Sequence, residues 1–591
     1  MSLLGVLLFC AVTTTIGPVG QDASAPQDAI AAALEAGDLD GAQAKAEQWV
    51  ASDPNAPYAH LFLGFCFEQR GDGKADREFD RALELGAADA DLTLQIADVY
   101  ATRFADVIAS GVTDGAPAER ARAEELYAKV ADLQGNSMVA LPRIAWLKRT
   151  GGDIAGAKAV LFAAIALDPL ADGPHYDLWS LIGSGVEYDE LASFYDGLSA
   201  GNYAPAARAR CRSFQGQVFA NKALAHRAAA ATAAEASDSL AHAAALEAAR
   251  NAYVASIPCF DRAIAADPAG ADAPRREQIR SLVGIVEVLG ERSDFGAARL
   301  AAADARDAID PLLRASPDDP QLQLDADSVS YALFVAAGGE ANRDANYATR
   351  MGEIYDHWAW ATSIVTHRAD WWNNLGFFAR EAAKYEESYA AYRKCIELAP
   401  DNVRYVNDTA LILLYHLHRD LDEAERLLVR AVQLGAAQYP NVKDDPAAEA
   451  DMRSAWGDAM LNHGKLLTER DRFDDADSAF ARLAAFDPER PDLARERETL
   501  AMKRRLRAAL DAGDIAAVTT LLEADLAEEC AVRQKFVVGR DDEARVVQLA
   551  RWAAAQRAGD PALDAFIARS IEAIHAADAE RVAGSSESES P

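Results

Sequence analysis

The side chains with the most chemical reach are few and poorly arranged for catalysis. His418-Arg419-Asp420-Leu421 has the composition of a phosphoryl-transfer catalytic loop, and Asp294-Phe295-Gly296 that of a metal-holding triad. In enzymes built that way the loop precedes the triad, and an Asn follows its Asp by five residues. Here the order is reversed and Glu425 occupies that place, and the sequence has no Gly-rich loop followed by a strand with Lys. His416 and His418 diverge by about 200° on a helix, so they cannot share a metal. His357 and His367 also miss the i, i+4 pairing that a helical zinc site prefers. There is no Gly-x-Ser-x-Gly elbow and no phosphate-cradling Gly-x-x-x-x-Gly-Lys loop. These absences lead to an expectation of no catalytic residues, no cofactor and no metal.

Any functional groups must be positioned by a helix-pair unit that recurs with fixed internal spacing. From Trp372 it reads Trp372, Leu375, Gly376, Ser388, Tyr392, Cys395 and Pro400. The same intervals give Met460, His463, Gly464, Ala476, Phe480, Leu483 and Pro488, and again Leu141, Ile144, Ala145, Ala157, Leu161, Ala164 and Pro169. Apolar residues at i, i+3 and i+7 define one helical face. Gly376 on that face lets a partner helix approach closely, and His463 and Cys395 fall in packing slots of their units. Pro ends each unit, because it cannot continue a helix and biases the residue before it away from helical geometry. A one-residue contraction fits His60, Leu63, Gly64, Phe67, Ala75, Phe79 and Ala82, and a two-residue insertion fits Ala410, Ala424, Leu428 and Ala431. The stretches 90–135, 175–255 and 275–368 keep a helical composition but lose the spacing, and the Ala-rich run Lys222–Ala255 reads as lengthened helices.

This pattern resembles the tetratricopeptide repeat, which has small residues at helix contacts and Pro at the close. The resemblance implies an all-α, right-handed superhelical solenoid of helix pairs, none able to bury its apolar face without its neighbours. It also implies a groove lined by the first helix of each pair. Carried onto matching slots, the lining is Asn373, Phe377 and Arg380, then Arg404 and Asn407, then Asn462 and Lys465, with Tyr58, Leu61 and Phe65 in the N-terminal unit. Arg and Asn in these places suit a peptide carboxylate. Dense aromatics from Tyr355 to Phe378 suit core packing, with some available as interface anchors. The function this implies is a non-enzymatic scaffold that binds protein or peptide partners. The alternatives are an enzyme or enzyme accessory with its site in the divergent segments, and a self-associating component of the cell envelope.

The chain has 591 residues and a formal charge of −34, from 59 Lys and Arg against 93 Asp and Glu. That balance argues against nucleic acid and anionic membranes as main partners. The apolar run Leu3–Ile16 is too short to span a bilayer and suits the core of a secretory signal. However, no Lys or Arg precedes it, and Pro26 follows the Ala23-x-Ala25 site. The expectation is an exported protein, periplasmic or in the cell envelope, or a cytoplasmic one if the leader is not used. Cys66, Cys211, Cys259, Cys395 and Cys530 are widely spaced and make no disulfide framework. The expected organisation is a leader over 1–25, divergent repeats over 28–315, clearer repeats over 320–490, further helices over 492–582 and a polar tail over 583–591.

Overall fold

The computed structural model describes residues 26–111, 117–135, 137–341, 343–533 and 544–587. The expected leader and residues 588–591 of the polar tail lie outside them; residues 583–587 of that tail are helical. Among the described residues the fold is all-α, with one isolated β-bridge between Ile182 and Val186. The chain divides into two compact units, residues 1–309 and 310–591.

The first unit contains α1 (Pro26–Glu35), α2 (Leu39–Ser52), α3 (Pro57–Gln69), α4 (Ala75–Leu85), α5 (Ala90–Ala109), α6 (Pro117–Leu133) and α7 (Ala140–Thr150). It continues through α8 (Ile154–Leu167), α9 (Asp172–Trp179), α10 (Tyr188–Ser199), α11 (Pro205–Glu235), α12 (Ser239–Ala266) and α13 (Asp272–Glu291) to α14 (Phe295–Ala315), in which the division falls. The second unit contains α15 (Pro320–Ala336), α16 (Tyr347–Ile364), α17 (Ala369–Glu381), α18 (Tyr385–Leu398), α19 (Val403–Leu411), α20 (Leu421–Val442) and α21 (Pro446–Glu469). It ends with α22 (Phe473–Phe486), α23 (Pro491–Asp511), α24 (Ile515–Arg533), α25 (Arg545–Gln556) and α26 (Pro561–Glu587).

Within each unit the core is a series of clusters rather than a single centre. In the first, one cluster runs from Ile30 to Leu147 and the next from Ala145 to Val218. In the second, clusters cover Val403–Leu466, Met460–Leu500 and Met502–Ile574. Buried side chains are thus shared between consecutive hairpins, as expected of a repeat array.

The glycine slot is where two helices of a pair come closest. A Cβ on Gly64 would lie 2.5 Å from the Phe79 ring, and one on Gly464 2.4 Å from Phe480. On Gly376 it would meet Tyr392 at 3.0 Å. The closing Asp-Pro pairs work as the sequence suggests. Asp53, Asp168, Asp267 and Asp487 cap their helices with φ between −137° and −141°, the extended geometry that a following Pro imposes. Two of these turns are tied to the next helix by a His six residues beyond the Pro. His60 Nε2 lies 3.1 Å from the Pro54 carbonyl, and His175 Nε2 3.1 Å from that of Pro169.

Neighbouring hairpins are also linked by charge. In several pairs the first turn of the second helix carries acids, which its macrodipole favours, and the following hairpin supplies a cation. Lys222 reaches Asp189 at 2.7 Å, Arg419 reaches Glu386 at 2.8 Å, Arg470 reaches Asp422 at 2.6 Å and Arg504 reaches Asp474 at 2.8 Å; Arg70 pairs with Asp40 in the same way. Part of the acid excess is therefore used in stacking.

Two departures from regular spacing have clear structural causes. Gly216 in α11 meets Phe260 in α12 as Gly464 meets Phe480, but across 44 residues instead of 16. The pair has gained about 14 residues, or four turns, on each helix. The two-residue insertion after Ala410 becomes a π-helical segment, Ile412–Leu417, closed by His418 and Asp420 in left-handed conformation (φ 49° and 50°). The wider turn absorbs extra residues without breaking the helix.

Candidate peptide-binding groove

The first helices of consecutive pairs, α17, α19 and α21, each leave one side-chain stripe partly open. On α17 it holds Asp370, Asn373, Phe377 and Arg380, on α19 Arg404, Asp408 and Leu411, continuing to Tyr415 in the π-helical segment, and on α21 Asp451, Asp458, Lys465 and Glu469. The α19 stripe follows i, i+4, i+7 and i+11, as one helix face requires.

The groove's cations are already engaged. Arg380 pairs with Glu381 at 2.9 Å, Arg404 with Asp451 at 2.6 Å and Lys465 with Glu496 at 3.3 Å, while Arg490 pairs with Asp458. Beneath them Asn407 and Asn462 form a buried amide ladder. Asn462 donates to Asn407 Oδ1 at 3.0 Å and accepts from the Tyr415 hydroxyl at 3.1 Å, and Asn407 donates to Asp408 at 3.0 Å. Burial pushes the Asp408 carboxyl up to about 6, against the Asn407 hydrogen bond and the charges of Arg380 and Arg404, which favour its ionised form. Burial likewise raises Asp458, against the pull of Arg490, and lifts Tyr415 well above its ordinary value. At one end an aromatic step forms, with Phe377 edge-on to Phe334 at 6.4 Å and the Arg380 guanidinium 5.0 Å above the Phe377 ring.

Residues 369–402, which are α17, α18 and the turn that closes them, match the tetratricopeptide repeat family model. These residues are a tetratricopeptide repeat. No curated protein matches it. Solved structures similar to it include one of Naa15/Naa10 bound to HypK-THB, at 11% identity over 92% of this chain and 98% of that one, with a TM-score of 0.22. The APC/C hetero-tetramer Cut9-Hcn1 gives 10% identity over 96% and 99%, with a TM-score of 0.24. Yeast Tom70 gives 14% over 86% and 98%, with a TM-score of 0.21.

Against the tetratricopeptide slots, Asn373, Phe377, Arg380, Arg404 and Lys465 stand on open stripes, whereas Asn407 and Asn462 are 2% and 7% exposed and bond to each other. One residue further along α19, Asp408 takes the open place; adjacent residues differ by about 100° around a helix, and repeat spacing alone does not fix that angle. In the N-terminal unit Tyr58 is half-buried, but Leu61 and Phe65 are 0% and 2% exposed and belong to the core, a correction to the expected apolar groove surface. Helix α3 is contacted by α1, α2, α4 and α5, and a helix that is apolar all round is enclosed on every side. Of the aromatic cluster, Trp358 and Trp371 pack edge-on at 5.7 Å within the core.

The remaining candidate groups have structural places. Arg419, in the left-handed turn, makes two 2.8 Å bonds to Glu386, and Asp294 caps α14 through the Ala297 amide. His175 stacks on Phe214 at 3.9 Å, and burial pushes its pKa down to about 4. His463, in its packing slot, buries its Nδ1 without a partner. Among the described residues no group of three or more His, Cys, Asp or Glu could hold a metal ion, and no helix is long and apolar enough to cross a membrane. The helices after residue 490 pack onto the last repeat. Trp552 of α25 donates to Asp471 in the α21–α22 turn at 3.0 Å, with Lys503 and Arg507 over its ring.

Proposed function

We propose that the chain is a scaffold that binds a protein or peptide partner along the stripes of α17, α19 and α21. The observation that carries this is the succession of open side chains on three first helices, two of which, α19 and α21, are tied by a buried amide pair. The Phe334–Phe377 step offers an apolar anchor, and the polar stripes fix the direction of a bound segment. A photo-crosslinking residue at Phe377, with one at Glu397 on the outer helix α18 as control, tests the reading. Adducts to a defined partner segment from position 377 and not from 397 support it, and equal labelling from both positions refutes it. Export through the Leu3–Ile16 run forms part of the same proposal, and the mass of the mature N-terminus decides it.

A further inference from the structure

The groove's unmet hydrogen-bonding capacity lies on the acceptor side. Arg380, Arg404, Lys465 and Arg490 each have a carboxylate of this chain within ion-pair distance. The stripe acids Asp370, Asp451, Asp458 and Glu469 are matched in the same way, with Arg368, Arg404, Arg490 and Lys503. Asp408 differs. It receives a hydrogen bond from Asn407 at 3.0 Å and, among the described residues, has no cation in ion-pair contact, although Arg380 and Arg404 lie near enough to act on it electrostatically. One helix away, the side-chain oxygen of Asn373 is buried without a donor.

We propose that the groove receives a basic polypeptide segment, one of whose Lys or Arg side chains completes an ion pair with Asp408. This rests on the groove reading above and names the class of its occupant. A partner carboxylate would have to displace an internal one from Arg380, Arg404 or Lys465, exchanging one ion pair for another. A partner cation instead fills a place that is vacant and partly desolvated, where leaving a charge unmatched is costly. The aliphatic stem of a Lys or Arg fits the neighbouring Phe377 and Leu411, since such stems lie on apolar surface while the charged head reaches a polar group. A backbone or side-chain N–H of the same segment is the donor that Asn373 lacks. The charge of −34 draws a basic segment in from a distance, but that pull is not specific to a site.

The test uses the full chain and three short fluorescein-labelled peptides of equal length, in which Ala alternates with Lys/Arg, with Glu/Asp or with Gln, read by anisotropy at physiological ionic strength. The basic peptide binds best, and Asp408→Asn weakens it by about tenfold, the scale of one hydrogen bond to a charged group. Asp477→Asn removes the same charge from an exposed place on α22 and leaves the affinity unchanged. Equal affinities in the two variants would reduce the effect to net-charge attraction and overturn the assignment. An acidic peptide that binds and is lost in Arg404→Ala would overturn the basic occupant while keeping the groove. Binding of none of the three peptides would overturn the occupant, and if Phe377 also gave no specific adduct the groove reading would fall with it.

Discussion

Replacing Gly464 by Ala sets two effects of opposite sign against each other. Ala is better than Gly inside a helix by about 1 kcal/mol, which favours the substitution. Against it, the new methyl would stand 2.4 Å from one ring carbon of Phe480 and under 3.0 Å from two more. Phe480 is fully buried, so its ring cannot swing into solvent. Overpacking of this kind typically costs about 1–3 kcal/mol. With three contacts under 3.0 Å to an enclosed ring, the cost falls in the upper part of that range, about 2–3 kcal/mol, and the expected net for Gly464→Ala is a loss of about 1–2 kcal/mol. The matching Gly376→Ala meets Tyr392 at 3.0 Å, a contact that a shift of a few tenths of an ångström relieves. Its net should lie within about 1 kcal/mol of zero. Both glycines belong to the second unit, so urea titration followed by tryptophan fluorescence compares them within the same part of the molecule. Phe480→Leu in the Gly464→Ala background should recover part of the loss by making room. A Gly464→Ala chain as stable as the parent, or less affected than Gly376→Ala, would refute the idea that ring-on-glycine contact sets the hairpin spacing.

Acid should act through His175 in the first unit and Asp408 in the second with opposite sign. His175 has a folded pKa near 4 against about 6.5 when unfolded, so the unfolded chain takes up its proton first. Its contribution is complete above pH 6.5 and falls by about 3 kcal/mol on the way down to pH 4. Asp408 has a folded pKa near 6, above its unfolded value, so its own contribution to the second unit grows as pH falls from 6 towards 4. Thermal melts of each variant against the parent should show both: His175→Phe lessens the loss on acidification, and Asp408→Asn lessens the gain, while Asp458 and His463 go on titrating in the second unit. Asp408→Asn should also stabilise the second unit at pH 8 by about 1–3 kcal/mol. Burial lifts the thiols of Cys66 and Cys211 to about 11 and that of Cys395 to about 12. Iodoacetamide at pH 8 should leave these three unlabelled in the native chain and label them all in urea, as mass spectrometry will show.

Much of the fold was legible in the sequence because contact spacing leaves a direct record in residue types. Gly376 and Gly464 stand opposite Tyr392 and Phe480 at the intervals that the repeat required, and the Asp-Pro pairs close helices where they occur. The lengthened α11 and α12 were visible as the Ala-rich run. The groove was less legible. Asn407 and Asp408 are neighbours in sequence but lie on different faces of α19, and only the packing against α21 shows which one turns inward. The π-helical segment that carries Tyr415 towards Asn462 appears in sequence only as two surplus residues. Phe334 lies in a stretch without repeat spacing, so its place beside Phe377 had no local signal. The cross-hairpin ion pairs join residues some thirty or more apart, and no rule of short range selects them from so many charges.

The long α11–α12 pair has a practical consequence for altering this protein. Beyond the ion pairs of Arg227 with Glu287 and Glu291, and of Glu247 with Arg292, its outer part is Ala-rich, with Leu240 83% exposed. Trimming that outer part should follow a rule of angle rather than of length. Removing seven residues from each strand of the hairpin turns the faces by only about 20° and preserves the seam, whereas removing two from each swings them by about 200° and opens it. Ser237, at the tip with φ of 58°, marks where the pair could be recut and closed with Gly.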